Sequence, residues 1–298
     1  MLYNDIIFAG QRAICKSYAK INLTLDVKSK LDNGYHEVEM IMQTLSLFDL
    51  IIIEKSKKNI VINTNLKYLP NNEKNIAYKA AKVFFERCSI TDGLKIDIHK
   101  NIPVSAGLAG GSGNAAAVLC ALNMMYNFPL SDNELLELGS NLGADVPYCM
   151  IGGTKLSKGI GDVLSPLPSV PKITVLLVKP PISVSTASIY QKIDSEVILK
   201  RPDTMAMISA IENKDVLKIC DNLCNTMETV TQHMHPIIGG IKEKMIKNGA
   251  IGALMSGSGP TVFGIFDDYT KAKASADSFS YQFKDVYLTS TVDLIWGV

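Results

Sequence analysis

Apolar and polar residues alternate most regularly near the start of the chain, between residues 18 and 27. Four apolar side chains lie on one side of this alternation and four polar ones on the other: Ile21, Leu23, Leu25 and Val27, against Lys20, Asn22, Thr24 and Asp26. Successive strand residues point to opposite faces, so the pattern predicts a strand with one buried and one polar face. After a turn at residues 32–34, residues 35–53 predict one or two further strands, with an interruption near Phe48 and Asp49.

Helical periodicity begins at residue 75. Residues 75–87 carry apolar side chains at the spacing of one helix face, residues 94–100 alternate like a strand, and residues 115–124 are strong helix formers. Ser131 and Glu134 have the spacing of a capping box, which predicts the start of a further helix. We expect that helix to end at Gly143, with Asp145 and Pro147 following in a tight loop.

Three prolines between residues 166 and 171 mark an expected boundary, which divides the chain into domains of residues 1–168 and 169–298. Beyond it the pattern predicts a buried strand at residues 173–178 and amphipathic helices over residues 186–248. Two strands, at residues 251–255 and 261–266, flank a glycine turn, and a last strand covers residues 285–292. This mixed order of strands and helices predicts an α+β architecture rather than a doubly wound parallel sheet.

Composition narrows the classes of function. The 298 residues carry a net charge of +1, so no bulk attraction to nucleic acid or to acidic membrane surfaces is indicated. No apolar run reaches the roughly 18 residues of a membrane span. Six cysteines lie mostly in apolar segments without a Cys-x-x-Cys pair. We therefore expect a cytoplasmic protein with free thiols, no metal ligands, and no nucleic-acid or membrane partner. The pattern leaves the oligomeric state open.

The densest cluster of glycines lies in residues 103–114, which read PVSAGLAGGSGN. A strand, a glycine loop and a helix can together present bare N–H groups and a positive helix end to an anion, which predicts a phosphate or nucleotide site. A P-loop needs Lys-Ser/Thr after its last glycine, whereas Asn114 and Ala115 follow Gly113. A dinucleotide fingerprint needs a second strand with an acid about 20 residues on. The chain has the capping box there instead.

Three segments, in order, resemble the GHMP kinases, a superfamily that includes galactokinase, homoserine kinase and mevalonate kinase. They are the glycine loop, residues 19–23 (AKINL) and residues 254–263 (LMSGSGPTVF). The resemblance implies an α+β, two-domain GHMP kinase fold, with an N-terminal mixed α/β nucleotide-binding domain and a C-terminal ferredoxin-like α+β domain. It also implies ATP with Mg²⁺ as the phosphoryl donor and a small-molecule alcohol as the acceptor. Mg²⁺ usually keeps several waters and few protein ligands, so no carboxylate cluster is required.

The resemblance assigns the contacts with ATP to the whole glycine loop. The implied residues are Pro103, Val104, Ser105, Ala106, Gly107, Leu108, Ala109, Gly110, Gly111, Ser112 and Gly113. Gly113 stands where the family usually has a second serine or alanine, and Ser105 where glycine or alanine is expected. Both residues are small, so we expect the path of the loop to survive. The alternative is a turn that merely packs against another backbone, although four glycines in residues 107–113 exceed what a turn needs.

Lys20 and Asp145 are the implied catalytic residues. Asp145 would accept the proton of the acceptor hydroxyl, and Lys20 would keep Asp145 ionised and stabilise charge on the transferring phosphoryl group. From the residues alone, Asp145 is equally well explained as a local cap before Pro147, and Lys20 is better explained as an ordinary solvated strand lysine. The match of AKINL and of residues 142–147 (LGADVP) to the family favours catalysis.

Residues 32–36 (DNGYH), 142–147 and 159–162 (GIGD) resemble the branch of the family that phosphorylates a cytidine-diphosphate-linked methylerythritol in the non-mevalonate isoprenoid pathway. The resemblance implies phosphorylation of the 2-hydroxyl and substrate contacts from Asn22, Tyr35, His36, Thr186 and Tyr190. An aromatic face can stack on cytosine, and an imidazole can hydrogen-bond to its edge. Two alternatives stay open: a GHMP kinase for a smaller alcohol such as mevalonate or homoserine, and a non-catalytic ligand-binding protein on the same fold.

Overall fold

The computed structural model describes residues 2–32 and 34–293, so Asn33 of the predicted turn lies outside the described residues. Within these ranges the strands are β1 (Ile6–Ala9), β2 (Arg12–Lys30), β3 (His36–Ser56), β4 (Ile60–Thr64), β5 (Gly93–His99), β6 (Thr154–Lys158), β7 (Val163–Pro166), β8 (Thr174–Lys179), β9 (Cys224–Asn225), β10 (Gly252–Met255), β11 (Val262–Phe266) and β12 (Asp285–Ser290). The α-helices are α1 (Ile76–Arg87), α2 (Gly110–Met125), α3 (Asp132–Ser140), α4 (Asp145–Ile151), α5 (Thr186–Ile193), α6 (Thr204–Glu212), α7 (Val216–Asp221), α8 (Thr226–Met234), α9 (Ile237–Lys247) and α10 (Tyr269–Ser280). The described strands form one sheet of eight strands and one of four.

The long antiparallel hairpin of β2 and β3 forms the centre of the larger sheet. β3 runs without a break through Phe48 and Asp49, where the sequence predicted an interruption. The irregularity is a bulge instead, because the pairing register shifts between Tyr18 and Lys20 of the opposite strand. Asp49 is fully buried, and its Oδ1 accepts hydrogen bonds at 2.8 Å from two backbone N–H groups after β5. These bonds let a charged residue remain within the strand.

Helix α2 lies against this sheet and is buried along most of its length. Twelve of its sixteen residues are buried, and four of the twelve are alanines. The helix approaches β2 closely at Gly113, where a Cβ atom would lie 2.6 Å from Ser17 Oγ. Packing therefore favours glycine at position 113, which gives a physical reason for its departure from the family pattern.

The helical periodicity of residues 75–87 and the capping box at Ser131 located two helices correctly, and one predicted boundary was misplaced. Asn75 caps α1, and Ser131 with Glu134 forms the predicted capping box at the start of α3. α3 ends at Ser140 rather than at Gly143. The predicted loop around Asp145 and Pro147 was wrong, because Asp145 is the first residue of α4. Proline is accommodated there because the first N–H groups of a helix have no intrahelical acceptor.

The smaller sheet contains β10, β11, β8 and β12 in that order, and every pair is antiparallel. When these four strands are numbered 1 to 4 along the chain, their order in the sheet is 2-3-1-4. Helices lie between the first and second of them in the chain and between the third and fourth. This is the ferredoxin-like arrangement, and the predicted α+β fold is confirmed. β9 returns to pair in parallel with β2, and Thr226 Oγ1 accepts a hydrogen bond at 3.0 Å from the Val27 N–H. The chain after β8 is therefore joined directly to the central hairpin.

Glu39 of β3 connects the central hairpin to α6. Thr204 Oγ1 donates to Glu39 Oε1 at 2.5 Å, and Glu39 also pairs with Lys28 at 2.9 Å and with Lys158 at 3.3 Å. Burial raises the pKa of Glu39, but the hydrogen bonds from these three residues outweigh it and lower the pKa to about 2. The carboxylate therefore favours the folded protein at neutral pH.

The described part of the chain contains no α-helix with the length and apolar character needed to span a bilayer. All six cysteines are free thiols, and Cys88 is the one that is not buried.

Candidate active site

The glycine loop connects β5 to α2 and lines a cavity of about 420 Å³, here called the loop cavity. Nine of the eleven loop residues predicted to bind ATP line it. The exceptions are Leu108, whose side chain is buried in the core, and Gly113, which packs on β2. The first three residues of α2, 110–112, are among the lining residues. Because the first N–H groups of a helix lack intrahelical acceptors and carry the positive end of its dipole, this part of the cavity suits phosphate.

Two non-glycine residues of the loop have a left-handed backbone. Ser105 has a φ of +52°, and Ala109, the N-cap of α2, has a φ of +56°. This conformation costs L-residues about 1 kcal/mol or more relative to glycine, which is why glycine would suit position 105. Both residues line the loop cavity, so the strained backbone lies where a ligand would bind.

The glycines of the loop divide between two roles. Gly107 packs against the second glycine motif (residues 256–260): its φ is +74°, and a Cβ there would lie 2.2 Å from the backbone oxygen of Ser256. Ser256 Oγ also donates a hydrogen bond to Gly107 O at 2.9 Å. Gly107, Gly110 and Gly111 all line the loop cavity. A Cβ at Gly110 would lie 3.0 Å from Ile102, whereas one at Gly111 would meet only Ile76 at 3.6 Å. Close packing therefore accounts for Gly107 and Gly110, and exposure to the cavity for Gly111.

Lys20 is buried, although alternation alone suggested a solvated lysine. Its side chain is on the same face of β2 as Asn22, and Nζ donates to Asn22 Oδ1 at 2.8 Å. Nζ also lies 3.7 Å from Asp145 Oδ2, so the two predicted catalytic residues form an ion pair. The Lys20 N–H donates to Leu108 O at 3.2 Å, which joins β2 to the glycine loop. The buried ammonium is thus held between the loop and Asp145.

Three cavities lie side by side and share lining residues. The loop cavity and a middle cavity of about 270 Å³ share Ser105, Gly107 and Ala109. The middle cavity and an outer cavity of about 620 Å³ share Met40, Asp145, Thr186 and Tyr190. Lys20 also lines the middle cavity. The three form one cleft, and a group passing from the loop to the outer cavity would pass Lys20 and Asp145.

Four predicted substrate residues line the outer cavity: Tyr35, His36, Thr186 and Tyr190. The buried His36 ring stacks on Tyr190, with centroids 4.9 Å apart and planes 24° from parallel, while Tyr35 is 61% exposed. Thr186 Oγ1 lies 2.8 Å from a serine hydroxyl of the second glycine motif. Burial, followed by the charge of Asp145, raises the pKa of Tyr190 to about 12, so its phenol is neutral. The fold therefore brings together residues that lie far apart in the sequence.

Sequence reasoning missed a buried network beside the loop, formed by Asp49, Lys100 and Asn114. Lys100 Nζ contacts Asp49 Oδ2 and donates to Asn114 Oδ1 at 3.1 Å, and Asn114 Nδ2 donates to Asp49 Oδ2 at 2.8 Å. Lys100 also lines the loop cavity, and a Cβ at Gly110 would lie 3.1 Å from its Nζ. Two signals were available: Asp49 interrupts an apolar run, and Lys100 lies three residues before the first residue of the loop.

The loop cavity has further lining residues that no motif singled out. Leu69, Pro70 and Ile76 supply apolar surface, and Lys74 and Asn75 supply polar groups. Asn75 also caps α1, because its Oδ1 accepts a hydrogen bond at 3.0 Å from the N–H of residue 77. A short segment between β4 and α1 therefore completes the cavity.

Two protein-family models match this chain. One, described as GHMP kinases N terminal domain, covers residues 75–153, and the other, described as GHMP kinases C terminal, covers residues 207–285. With the fold and the paired glycine motifs, these matches show that the chain belongs to the GHMP kinase family, as predicted.

Within that family, the chain is similar to curated proteins named 4-diphosphocytidyl-2-C-methyl-D-erythritol kinase. The protein from Alkaliphilus oremlandii is 51% identical over 278 residues, covering 93% of this chain and 95% of the relative. The protein from Caldicellulosiruptor saccharolyticus is 49% identical over 281 residues, covering 94% of this chain and 97% of the relative.

Solved structures share the fold. A crystal structure of 4-(cytidine 5'-diphospho)-2C-methyl-D-erythritol kinase has a TM-score of 0.80 at 27% identity, covering 93% of this chain and 98% of that chain. A homoserine kinase from Cytophaga hutchinsonii has a TM-score of 0.74 at 18% identity, covering 96% of this chain and 97% of that chain. The second likeness concerns the fold alone.

Proposed function

We propose that this protein catalyses the ATP-dependent phosphorylation of the 2-hydroxyl of 4-diphosphocytidyl-2-C-methyl-D-erythritol, a step of non-mevalonate isoprenoid biosynthesis. As a GHMP kinase it uses ATP as the phosphoryl donor. The observation that carries the proposal is one cleft, in which Lys20 and Asp145 lie between the glycine loop and the aromatic residues of the outer cavity. The two relatives at 49% and 51% identity support the choice of substrate. The proposal includes a cytoplasmic location, which the six free thiols support.

The loop cavity is the proposed site of ATP. Its phosphates would lie against the N-terminus of α2 at residues 110–112, and its adenine against the apolar surface of Leu69, Pro70 and Ile76. Mg²⁺ prefers oxygen ligands and keeps few protein contacts, so the Ser112 hydroxyl and the Asp145 carboxylate, which both line the outer cavity, fit an ion held mainly by the nucleotide. When bound there, Mg²⁺ would neutralise negative charge on the phosphates.

Asp145 is the proposed base. As the 2-hydroxyl oxygen attacks the γ-phosphorus, its proton passes to the Asp145 carboxylate, and ADP leaves with the electron pair of the broken P–O bond. Lys20, 4% exposed and 3.7 Å from Asp145, stabilises negative charge on the transferring group. Asn22 fixes the position of the ammonium at 2.8 Å, so little reorganisation is needed during reaction.

The outer cavity is the proposed site of the acceptor. Its volume of about 620 Å³ lies within the range of ligand pockets, which is roughly 300–1,000 Å³. Tyr35, His36 and Tyr190 supply aromatic faces and an imidazole edge, which suit a nucleobase. Mevalonate or homoserine has no base to contact these groups, so their presence favours the cytidylyl substrate over the smaller alcohols.

A coupled assay of ADP release tests the function. With ATP and Mg²⁺, we expect turnover of the cytidylyl substrate, whereas turnover of only mevalonate or homoserine would contradict the proposal. Asp145→Asn should lower kcat by about 10²–10⁴-fold with the KM for ATP retained, because the proton acceptor is lost. Asp277→Asn is the matched control, since Asp277 is exposed on α10 and lines none of the three cavities. Equal kcat values for the two variants would contradict the role of Asp145.

A further inference from the structure

The imidazole of His36 is held by a carboxylate that lies outside every motif of the sequence. His36 Nε2 lies 2.7 Å from Asp194 Oδ1, across 158 residues of chain. Asp194 is the C-cap of α5, one helical turn after Tyr190, whose ring stacks on the same imidazole. The other carboxylate oxygen of Asp194 faces Lys30 Nζ at 3.7 Å. Helix α5 and its cap therefore contact both a face and a nitrogen of the His36 ring.

The contact determines which nitrogen of a neutral His36 carries hydrogen. The hydrogen bond from His36 lowers the pKa of Asp194, so its carboxylate is ionised near neutral pH and can only accept. Nε2 must then donate, and Nδ1 is left as an acceptor. Among the described residues Nδ1 has no hydrogen-bond partner, and the one fully buried side-chain polar atom without a partner is Thr261 Oγ1. The His36 ring is buried but lines the outer cavity, so Nδ1 can accept a hydrogen bond from a ligand bound there.

We propose that Asp194 is a positioning residue that determines base specificity, by fixing the His36 tautomer in which Nδ1 accepts a hydrogen bond from the 4-amino group of cytosine. This proposal rests on the proposed function. Cytosine presents an amino donor at C4, whereas uracil presents an oxygen, which an unprotonated Nδ1 repels. Without Asp194 the ring can exchange tautomers, and the form with hydrogen on Nδ1 suits uracil. Asp194 thus favours a cytidine over a uridine nucleotide by acting through His36.

The kinetic test compares Asp194→Ala with Lys30→Ala, which removes the charge on the far side of the same carboxylate but keeps the His36 contact. Each variant is assayed with the cytidylyl substrate and with its uridylyl analogue. For Asp194→Ala we expect kcat/KM for the cytidylyl substrate to fall about 10- to 100-fold, mainly through KM, and the preference for cytidine to shrink at least about tenfold. Lys30→Ala should keep that preference, and the KM for ATP should be unchanged in both. An unchanged preference in Asp194→Ala would overturn the proposal.

A double-mutant cycle tests whether Asp194 acts through His36. In a His36→Ala background, Asp194→Ala should change the cytidine preference no further, and an additional effect of similar size would contradict the proposal.

A third readout needs no substrate. The chain has four histidines, so the ¹⁵N NMR signals of His36 can be assigned by substitution. The wild type should show hydrogen on Nε2, and folded Asp194→Ala a mixture of tautomers. Persistence of the Nε2–H form in that variant would overturn the proposal. If the wild type shows no turnover of the cytidylyl substrate, the proposed function fails while this spectrum still tests the tautomer.

Discussion

Replacing Gly107 by alanine should weaken the contact between the glycine loop and the second glycine motif. The φ of +74° costs alanine about 1 kcal/mol. The added Cβ would lie 2.2 Å from Ser256 O, a backbone atom that no side-chain rotation can move. Forcing an extra methyl group into a packed site costs about 1–3 kcal/mol. Together these effects predict a loss of about 2–4 kcal/mol in the free energy of unfolding.

Gly111→Ala is the matched control for this change. Gly111 has no left-handed backbone, and its Cβ would make only an ordinary contact of 3.6 Å with Ile76. Thermal unfolding should show Tm lowered by about 3–6 °C in Gly107→Ala and changed by less than about 2 °C in Gly111→Ala. The KM for ATP should rise in Gly107→Ala, because Gly107 lines both the loop and middle cavities. Equal Tm values for the two variants would refute the packing argument.

Three further predictions concern neighbouring contacts. Gly113→Ala should lower Tm, because its Cβ would lie 2.6 Å from Ser17 Oγ, and adding Ser17→Ala should restore much of the loss; a double variant no more stable than the single one would contradict this. Asp49→Asn should cost about 3–5 kcal/mol in denaturant unfolding, because it leaves the Lys100 ammonium buried without its counter-ion; a cost below about 1 kcal/mol would argue against that pairing. The pKa of Glu39 falls from 4.5 to about 2 on folding, so its stabilisation is complete above pH 4.5 and is lost as the pH drops toward 2. The Tm difference between wild type and Glu39→Gln should therefore shrink over that range, and a constant difference would contradict the linkage.

The sequence predicted those helices and strands that depend only on residues close together in the chain. Alternation located β2, helical periodicity located α1, and the capping box located the start of α3, because each requirement is met within a few residues. The continuity of β3 depends on partners of Asp49 that lie about 50 residues further along the chain, so an internal charge looked like a break. Pro147 looked like part of a loop because its tolerance in the first turn of α4 depends on where that helix begins.

The sequence motifs identified residues of the candidate site, but they did not show how these residues are arranged in space. The glycine loop, residues 19–23 and residues 142–147 indicated the loop, Lys20 and Asp145, and the structure brings them together. Alternation alone placed Lys20 in solvent, because burial of the polar face of β2 arises only when the loop and Asp145 pack beside it. The contact of His36 with Asp194 spans 158 residues and belongs to no motif, so only the fold reveals it.

We propose that the cleft transfers a phosphoryl group from ATP to the 2-hydroxyl of the cytidylyl substrate. The most direct measurement is ³¹P and ¹³C NMR of the product formed with ATP and Mg²⁺. We predict one new phosphomonoester on the 2-hydroxyl, an intact diphosphate bridge to cytidine, and one ADP for each product molecule. Phosphate on a different hydroxyl, or ADP formed without a phosphorylated acceptor, would contradict the account.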